Sequence, residues 1–158
     1  MWIGERTVDY RIVRREAFKV MGVIGHFESA GENFGPLWQD YMIHHDQIEP
    51  LSAGEGHYGV YLGADHSQPI DYLAGMAVQE AAIVPAGVEV REVPAATYAV
   101  FSCPFQAIGP TYGHIWAEWL QSGAYEQDTS KFGFDYYPPG TGEGDSPIEI
   151  WFPVKGSG

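Results

Sequence analysis

An acidic residue and an indole lie two positions apart in an otherwise apolar segment near the end of this 158-residue chain. They are Glu149 and Trp151, and their neighbours are Ile148, Ile150 and Phe152. Side chains alternate between the two faces of a strand, so the acid and the indole point one way and the three apolar residues the other. If the apolar face packs on a core, Glu149 and Trp151 face a cavity or the solvent. A carboxylate beside an indole suits an aromatic organic cation, because the ring attracts the cation and the carboxylate neutralises it.

A related acid lies 78 positions earlier, where Pro69-Ile70-Asp71 aligns with Pro147-Ile148-Glu149. The same offset aligns Trp38 with Trp116 and Tyr58 with Tyr136. A fixed offset of this kind indicates an internal duplication. We therefore expect one domain over residues 1–158, with pseudo-repeats at about 10–78 and 88–156. Pseudo-two-fold symmetry should place a ligand cleft at the central seam.

Each repeat is predicted to contain a strand pair, a helix and a second strand pair. The first repeat has strands at 10–16, 18–27, 58–62 and 70–78 and a helix at 33–48; the second has strands at 88–93, 95–103, 132–137 and 148–154 and a helix at 109–120. Asn33 and Thr111 are the predicted helix caps, and Gly123 the predicted stop. Strand runs with one helix per repeat predict an α+β fold of two β-α-β-β units, with two helices on an antiparallel sheet.

The composition limits the partners. The net charge is −13, with eight Lys and Arg against 21 Asp and Glu. Such a chain is a poor ligand for nucleic acid or for anionic membranes, which attract basic surfaces. A negative field concentrates cations, although acidity also serves solubility alone. Arginines interrupt the N-terminal segment and no apolar run is long enough to span a membrane, so we expect a soluble, cytoplasmic protein.

Other chemistries have weaker support. The six histidines show no metal-ligand spacing, Cys103 lies in an apolar run that favours an inert thiol, and the glycine-rich loops lack the setting of a phosphate cradle. We expect neither a metal nor a cofactor.

Four segments resemble the GyrI-like family, whose members include effector-binding domains attached to AraC-type and MerR-type multidrug regulators. Residues 147–155, PIEIWFPVK, resemble the terminal "EIWIPV" strand of that family. Residues 11–22 resemble its first hairpin. Residues 116–123 and 134–138, WAEWLQSG and FDYYP, resemble its second helix and the strand that follows. The resemblance covers nearly the whole chain.

The resemblance implies a duplicated β-α-β-β domain whose junction holds a ligand, and a Glu on the last strand that contacts cationic, lipophilic drugs. Glu149 matches that Glu and Trp151 a lining position. Four helix aromatics match lining residues by element only: Phe34, Trp38, Tyr112 and Trp116. Tyr72 and Tyr137 are further candidates for the pocket wall. With no basic helix-turn-helix before this domain, the chain is similar to a stand-alone binding protein for cationic aromatic compounds.

Two other functions stay open at this point. The pocket Glu is also suited to act as a general base or nucleophile in a hydrolase of electrophilic small molecules. The acidic surface alternatively suits a protein-directed inhibitor, as the gyrase-inhibitor name of the family implies. The sequence identifies no protein partner.

Overall fold

Nine strands and two α-helices make up the part of the chain that a computed structural model describes, residues 10–28, 34–63, 69–79, 83–104, 107–123, 125–138 and 147–156. The strands are β1 Tyr10–Arg15, β2 Phe18–Phe27, β3 His57–Tyr61, β4 Ile70–Val78, β5 Glu89–Val93, β6 Ala96–Pro104, β7 Tyr125–Gln127, β8 Gly133–Tyr137 and β9 Pro147–Gly156. The helices are α1 Gly35–Ile48 and α2 Ile108–His114. The short strand β7 was not predicted.

The strands form an antiparallel sheet in the order β1-β6-β9-β8-β3-β4-β2-β5, with β7 paired to β9. This order is symmetric. If β1, β2, β3 and β4 of the first repeat are matched with β5, β6, β8 and β9 of the second, the order read from one edge equals the order read from the other. The seam between the repeats is the ladder of β3 and β8, in which Tyr58 pairs with Tyr136. The predicted α+β fold with an antiparallel sheet and two helices is confirmed.

The two opening strands of each repeat do not form the expected hairpin. Instead β1 pairs with β6 of the second repeat, and β5 pairs with β2 of the first. A two-residue hairpin loop needs positive φ, which Asn and Gly supply readily. The links here are Glu16-Ala17 and Pro94-Ala95, and no described residue other than glycine has positive φ. The chain therefore crosses between the repeats at both links.

These short links force the sheet to curl. β1 lies at one edge of the sheet and β2 beside the opposite edge, yet only two residues separate them. The link makes three Cα–Cα steps and spans at most about 10–11 Å, so the edges must approach each other. We call the concave side the inner face and the side that carries α1 and α2 the helix face. Apolar clusters fill both faces, with one under each helix and one inside the curl.

The gap-free offset of 78 is not kept along the ladders. Ile70 pairs with Phe27, but Ile148 pairs with Cys103, two residues before position 105. Because side chains alternate with a period of two, this slip leaves each side chain on its expected face.

The helix α1 begins close to the predicted position, with Pro36 in its first turn, and it buries Tyr41 and Ile48. The predicted cap Asn33 lies outside the described residues. A 3-10 turn, Glu49–Leu51, follows the helix and includes Pro50.

The helix α2 is shorter than predicted. It ends at His114 and continues as a π-helical turn, Ile115–Trp119, and a 3-10 turn, Leu120–Ser122. Thr111 is fully buried inside the helix and is not its cap, so that prediction was wrong. The helical segment ends at Gly123, as predicted. The φ of Gly123 is 84°, the left-handed conformation that glycine tolerates. Neither helix, nor any other described helical segment, has the length and apolarity to cross a bilayer.

Candidate functional site

A buried carboxylate lies at the seam between the repeats. Asp135, in the middle of β8, is 1% exposed. It pairs across the ladders with Gly59 and Ile150, and strand alternation turns its side chain to the helix face, while Phe134 and Tyr136 point inward. A carboxylate with so little contact with water needs hydrogen-bond donors around it.

Two phenols supply such donors from different repeats. The Tyr61 hydroxyl on β3 donates to Asp135 Oδ2 at 2.9 Å. The Tyr112 hydroxyl on α2 donates to Asp135 Oδ1 at 2.6 Å. The carboxylate thus bonds to a strand of the first repeat and the helix of the second.

Further aromatic rings surround this group on the helix face. Phe34, next to the start of α1, stacks on Tyr72 of β4 with ring centres 3.9 Å apart. Trp38 lies edge-on to Tyr137 at 5.4 Å and to Tyr72 at 6.4 Å. We call this set the helix-face site. Its members are Phe34, Trp38, Tyr61, Tyr72, Tyr112, Asp135 and Tyr137.

The position of Tyr72 depends on a glycine. A Cβ atom built on Gly59 would lie 1.9 Å from the Tyr72 hydroxyl oxygen, so only glycine leaves room for the phenol. That hydroxyl is buried, burial raises its pKa, and hydrogen bonds with Trp38 and Tyr137 act in the opposite direction.

Burial sets the protonation of the site. It raises the pKa of Asp135 to about 6, although hydrogen bonds from Tyr112, Tyr61 and Tyr137 act in the opposite direction. Burial and the nearby carboxylate raise the pKa of Tyr61 and of Tyr112 well above 10, so both phenols remain donors. At neutral pH the site therefore holds one negative charge, and no ion pair joins Asp135 to a cationic side chain within the described part of the chain.

A histidine borders the site beneath α1. His57, which pairs with Tyr137 across the seam, contacts the Tyr41 hydroxyl through Nδ1 at 3.0 Å. Burial and the neighbouring His45 lower the pKa of His57, while Glu49 acts in the opposite direction. A neutral imidazole here adds no positive charge to the helix-face site.

Glu149 and Trp151 lie on the opposite, inner face of the sheet. Glu149 accepts hydrogen bonds from Arg11 at 3.2 Å and from the Trp151 indole nitrogen at 3.0 Å. The Trp151 ring stacks on Phe134, with centres 5.3 Å apart. The structure therefore does not bring these two residues together with the helix-face site, and their role in ligand binding stays a prediction.

The other predicted residues divide between two locations. Phe34, Trp38, Tyr72, Tyr112 and Tyr137 converge around Asp135. Trp116 instead packs on Phe152 at 5.3 Å, in the core under α2. Asp71, which aligns with Glu149 at the offset of 78 residues, is half exposed and contacts His26 at 3.0 Å.

Sequence reasoning missed Asp135 and Tyr61 as site residues. Asp135 lies between Phe134 and Tyr136 in a predicted strand, which is the same signal that singled out Glu149. A sequence pattern identifies an acid in an apolar strand but does not reveal which sheet face carries the helices. It therefore does not show whether Asp135 or Glu149 lies under the helices.

Thiol and metal chemistry find no support near the site. Burial raises the pKa of the Cys103 thiol, as expected for an inert packed group. Within the described ranges, no three His, Cys, Asp or Glu side chains come close enough to hold a metal ion.

The duplicated antiparallel sheet with two helices places this chain among effector-binding domains. Residues 11–154 match the model of the Cass2 family, described as integron-associated effector binding protein, and the chain belongs to this family.

Known proteins resemble this chain in sequence or in fold. The chain is 29% identical over 154 residues to the transcriptional regulator BrlR of Pseudomonas aeruginosa, a match that covers 94% of this chain and 56% of BrlR. The chain thus spans about half the length of that regulator. Two solved structures share the fold. SAV2435 bound to tetraphenylphosphonium has a TM-score of 0.78 at 19% identity, over 94% of both chains. The Vibrio cholerae integron cassette protein VCH_CASS2 has a TM-score of 0.69 at 17% identity, over 92% of this chain and 95% of that one.

Proposed function

We propose that this protein binds lipophilic aromatic cations in the helix-face site, with Asp135 as the charge partner. The observation that carries the proposal is a fully buried carboxylate that has phenol partners but no described cationic partner. An organic cation would supply the missing charge, and the rings of Phe34, Trp38 and Tyr72 would supply stacking and cation–π contacts.

The comparisons support the ligand class. The family is one of effector-binding proteins, and SAV2435, which shares the fold, was solved with tetraphenylphosphonium bound. That ligand is a bulky cation whose charge is surrounded by phenyl groups. A site with one buried negative charge and many rings has the complementary chemistry.

The experiment is a titration with tetraphenylphosphonium, followed by calorimetry and by tryptophan fluorescence. Asp135→Asn keeps an acceptor for one of the two phenols and removes the charge, and we expect binding to weaken by about 10- to 100-fold, the scale of a lost charge-assisted contact. Triphenylphosphine oxide, which is aromatic but neutral, should bind weakly to both proteins.

Glu149→Gln is the matched control, because it removes a carboxylate from the neighbouring strand on the inner face. We expect its affinity to stay within about twofold of the wild type, below the effect of any lost charged contact. The reverse result, with Asp135→Asn silent and Glu149→Gln weakened, would reject Asp135 and restore Glu149 as the charge partner. The fluorescence change should disappear in Trp38→Phe, since Trp38 is the one tryptophan within the described helix-face site.

A further inference from the structure

The inner face of the sheet carries a second aromatic cluster, and it encloses a cation that belongs to the chain itself. The Arg15 guanidinium carbon lies 3.7 Å from the centre of the Phe18 ring. It lies 5.4 Å from Tyr58 and 5.6 Å from both Phe134 and Trp151. Arg15 also donates a hydrogen bond to the Tyr58 hydroxyl at 3.1 Å. We call this arrangement the arginine cage.

The cage joins the two repeats. Phe18 and Tyr58 lie on β2 and β3 of the first repeat, and Phe134 and Trp151 lie on β8 and β9 of the second. Arg15 lies on β1, which is itself paired with the second repeat. One guanidinium therefore contacts rings on both sides of the seam. At the corresponding position of the second repeat, 78 residues on, the chain has the fully buried Val93.

The rings compensate the charge of Arg15. Within the part of the chain that the structure describes, no carboxylate forms an ion pair with Arg15, and the carboxylate of Glu149 is bonded to Arg11 and Trp151. Cation–π attraction is strongest for a partly desolvated cation on several ring faces. The interaction depends on the rings keeping their places, so the cation constrains all four strands.

The same strands carry the helix-face site on their opposite face, because the cage residues of β3, β8 and β9 are next in sequence to Asp135 or to one of its ladder partners. Phe134 precedes Asp135, and Tyr58 precedes Gly59, the residue that pairs with Asp135 and makes room for Tyr72. Trp151 follows Ile150, the partner of Asp135 on β9. A shift of the cage rings across the seam would therefore move the floor of the ligand site directly.

We propose that Arg15 is a positioning residue for the ligand site: its guanidinium, held in the aromatic cage, fixes the seam at the spacing that sets Asp135 among its phenols. This proposal rests on the proposed function for its ligand, but the cage and its effect on Asp135 are measurable without one.

The test compares Arg15→Ala with Arg14→Ala. Arg14 is the matched control, because it lies next in sequence on β1, is 60% exposed and pairs only loosely with Glu16 at 3.8 Å. We expect Arg15→Ala to weaken tetraphenylphosphonium binding by about five- to tenfold, from loss of a multi-ring cation–π contact. Millimolar methylguanidinium, which fits the vacated cage, should restore the affinity of Arg15→Ala in a saturable way. It should leave Arg14→Ala and the wild type unchanged.

A second measurement needs no ligand. Carbon-13 NMR follows the titration of the Asp135 carboxyl group in the wild type and in Arg15→Lys, which keeps the charge but loses the planar group. Loosening of the seam admits water, so we expect the midpoint of Asp135 to fall toward its ordinary value in Arg15→Lys. Arg15→Lys and Arg15→Met also keep the alkyl stem against Phe18, so they replace the alanine variant if that variant does not fold.

A variant of Arg15 that only loses thermal stability, with ligand affinity and the Asp135 titration unchanged, would overturn the proposal. So would rescue by methylguanidinium that is equal in Arg14→Ala. If the wild type binds no organic cation, the proposed function fails, and the Asp135 titration alone then decides whether Arg15 positions that residue.

Discussion

Asp135 is a residue whose place in the fold costs stability. Burial raises its pKa from 3.8 to about 6, so at neutral pH the folded protein holds an anion in surroundings that disfavour it. A shift of this size corresponds to about 3 kcal/mol of unfolding free energy. The cation ligand proposed above would offset this cost, which no described cationic side chain does.

The sign of this effect gives a prediction on pH. The folded state binds the Asp135 proton more tightly than the unfolded chain, so this group's contribution to the unfolding free energy rises as the pH falls from about 6 to about 4. We expect Asp135→Asn to be about 1–3 kcal/mol more stable than the wild type at pH 7.5, with the difference shrinking toward zero near pH 4. Urea unfolding at several pH values measures this. A difference that is constant across the range would show that Asp135 does not titrate as its burial implies.

Sequence reasoning at this scale assigned cation binding to Glu149 and Trp151, and that assignment stays a prediction. An acid and an indole on one strand face were expected to hold a cation, and in the structure Glu149 does bond a guanidinium, that of Arg11, while Trp151 faces Arg15. The cations come from the chain itself. The pattern of Glu149-Ile150-Trp151 carries no information on β1, which contributes both arginines from more than a hundred residues away.

At the scale of elements, most strands follow from alternation and turn residues. β2 and β4 begin and end at the predicted residues, and α1 ends at Ile48 as predicted. The pairing of strands did not follow, because it depends on the two links, Glu16-Ala17 and Pro94-Ala95, which cannot form tight hairpins. The π-helical turn after α2 was not foreseen either, since the apolar spacing of residues 112–120 suits an uninterrupted helix. Such turns occur often near functional sites, and this one directly follows the helix that carries Tyr112.

The approach of β3 to Tyr72 provides a prediction at this scale. In Gly59→Ala the new methyl group would meet the Tyr72 hydroxyl, and the phenol must leave its place over the seam. We expect a loss of about 1–3 kcal/mol of stability from overpacking, together with weaker binding of organic cations. Thermal unfolding and calorimetry measure the two effects.

Gly54→Ala serves as the comparison, because a Cβ atom there has no atom within 4 Å. It should leave both stability and affinity nearly unchanged. Equal behaviour of the two alanine variants would mean that Tyr72 does not need the space above Gly59.

At the scale of the whole molecule, the duplication was visible in the sequence, but the exchange of strands between the repeats was not. Each repeat gives its first strand to the other, so neither repeat holds a complete sheet of its own. The inner-face core also draws on strands of both repeats. The domain should therefore behave as one cooperative unit.

Separation of the repeats tests this. We expect fragments 1–82 and 83–158 to be largely unfolded alone, because β1 and β5 lose their partners and the inner core is opened. Mixed in equal amounts, they should associate and recover the native near-UV circular dichroism. Cooperative unfolding of either fragment by itself would contradict the prediction.

The pairing of β1 with the second repeat has a consequence for synthesis on the ribosome. β1 is synthesised before its partner β6, which ends at Pro104, so the strand waits for on the order of 5–20 s at ordinary translation rates. During that time its backbone is open to pairing with other nascent chains. Its three arginines, Arg11, Arg14 and Arg15, are charges of the kind that discourage such edge-to-edge contact. Arg11 and Arg15 later bond across the finished sheet, and together with Arg14 they would first protect the growing polypeptide against aggregation.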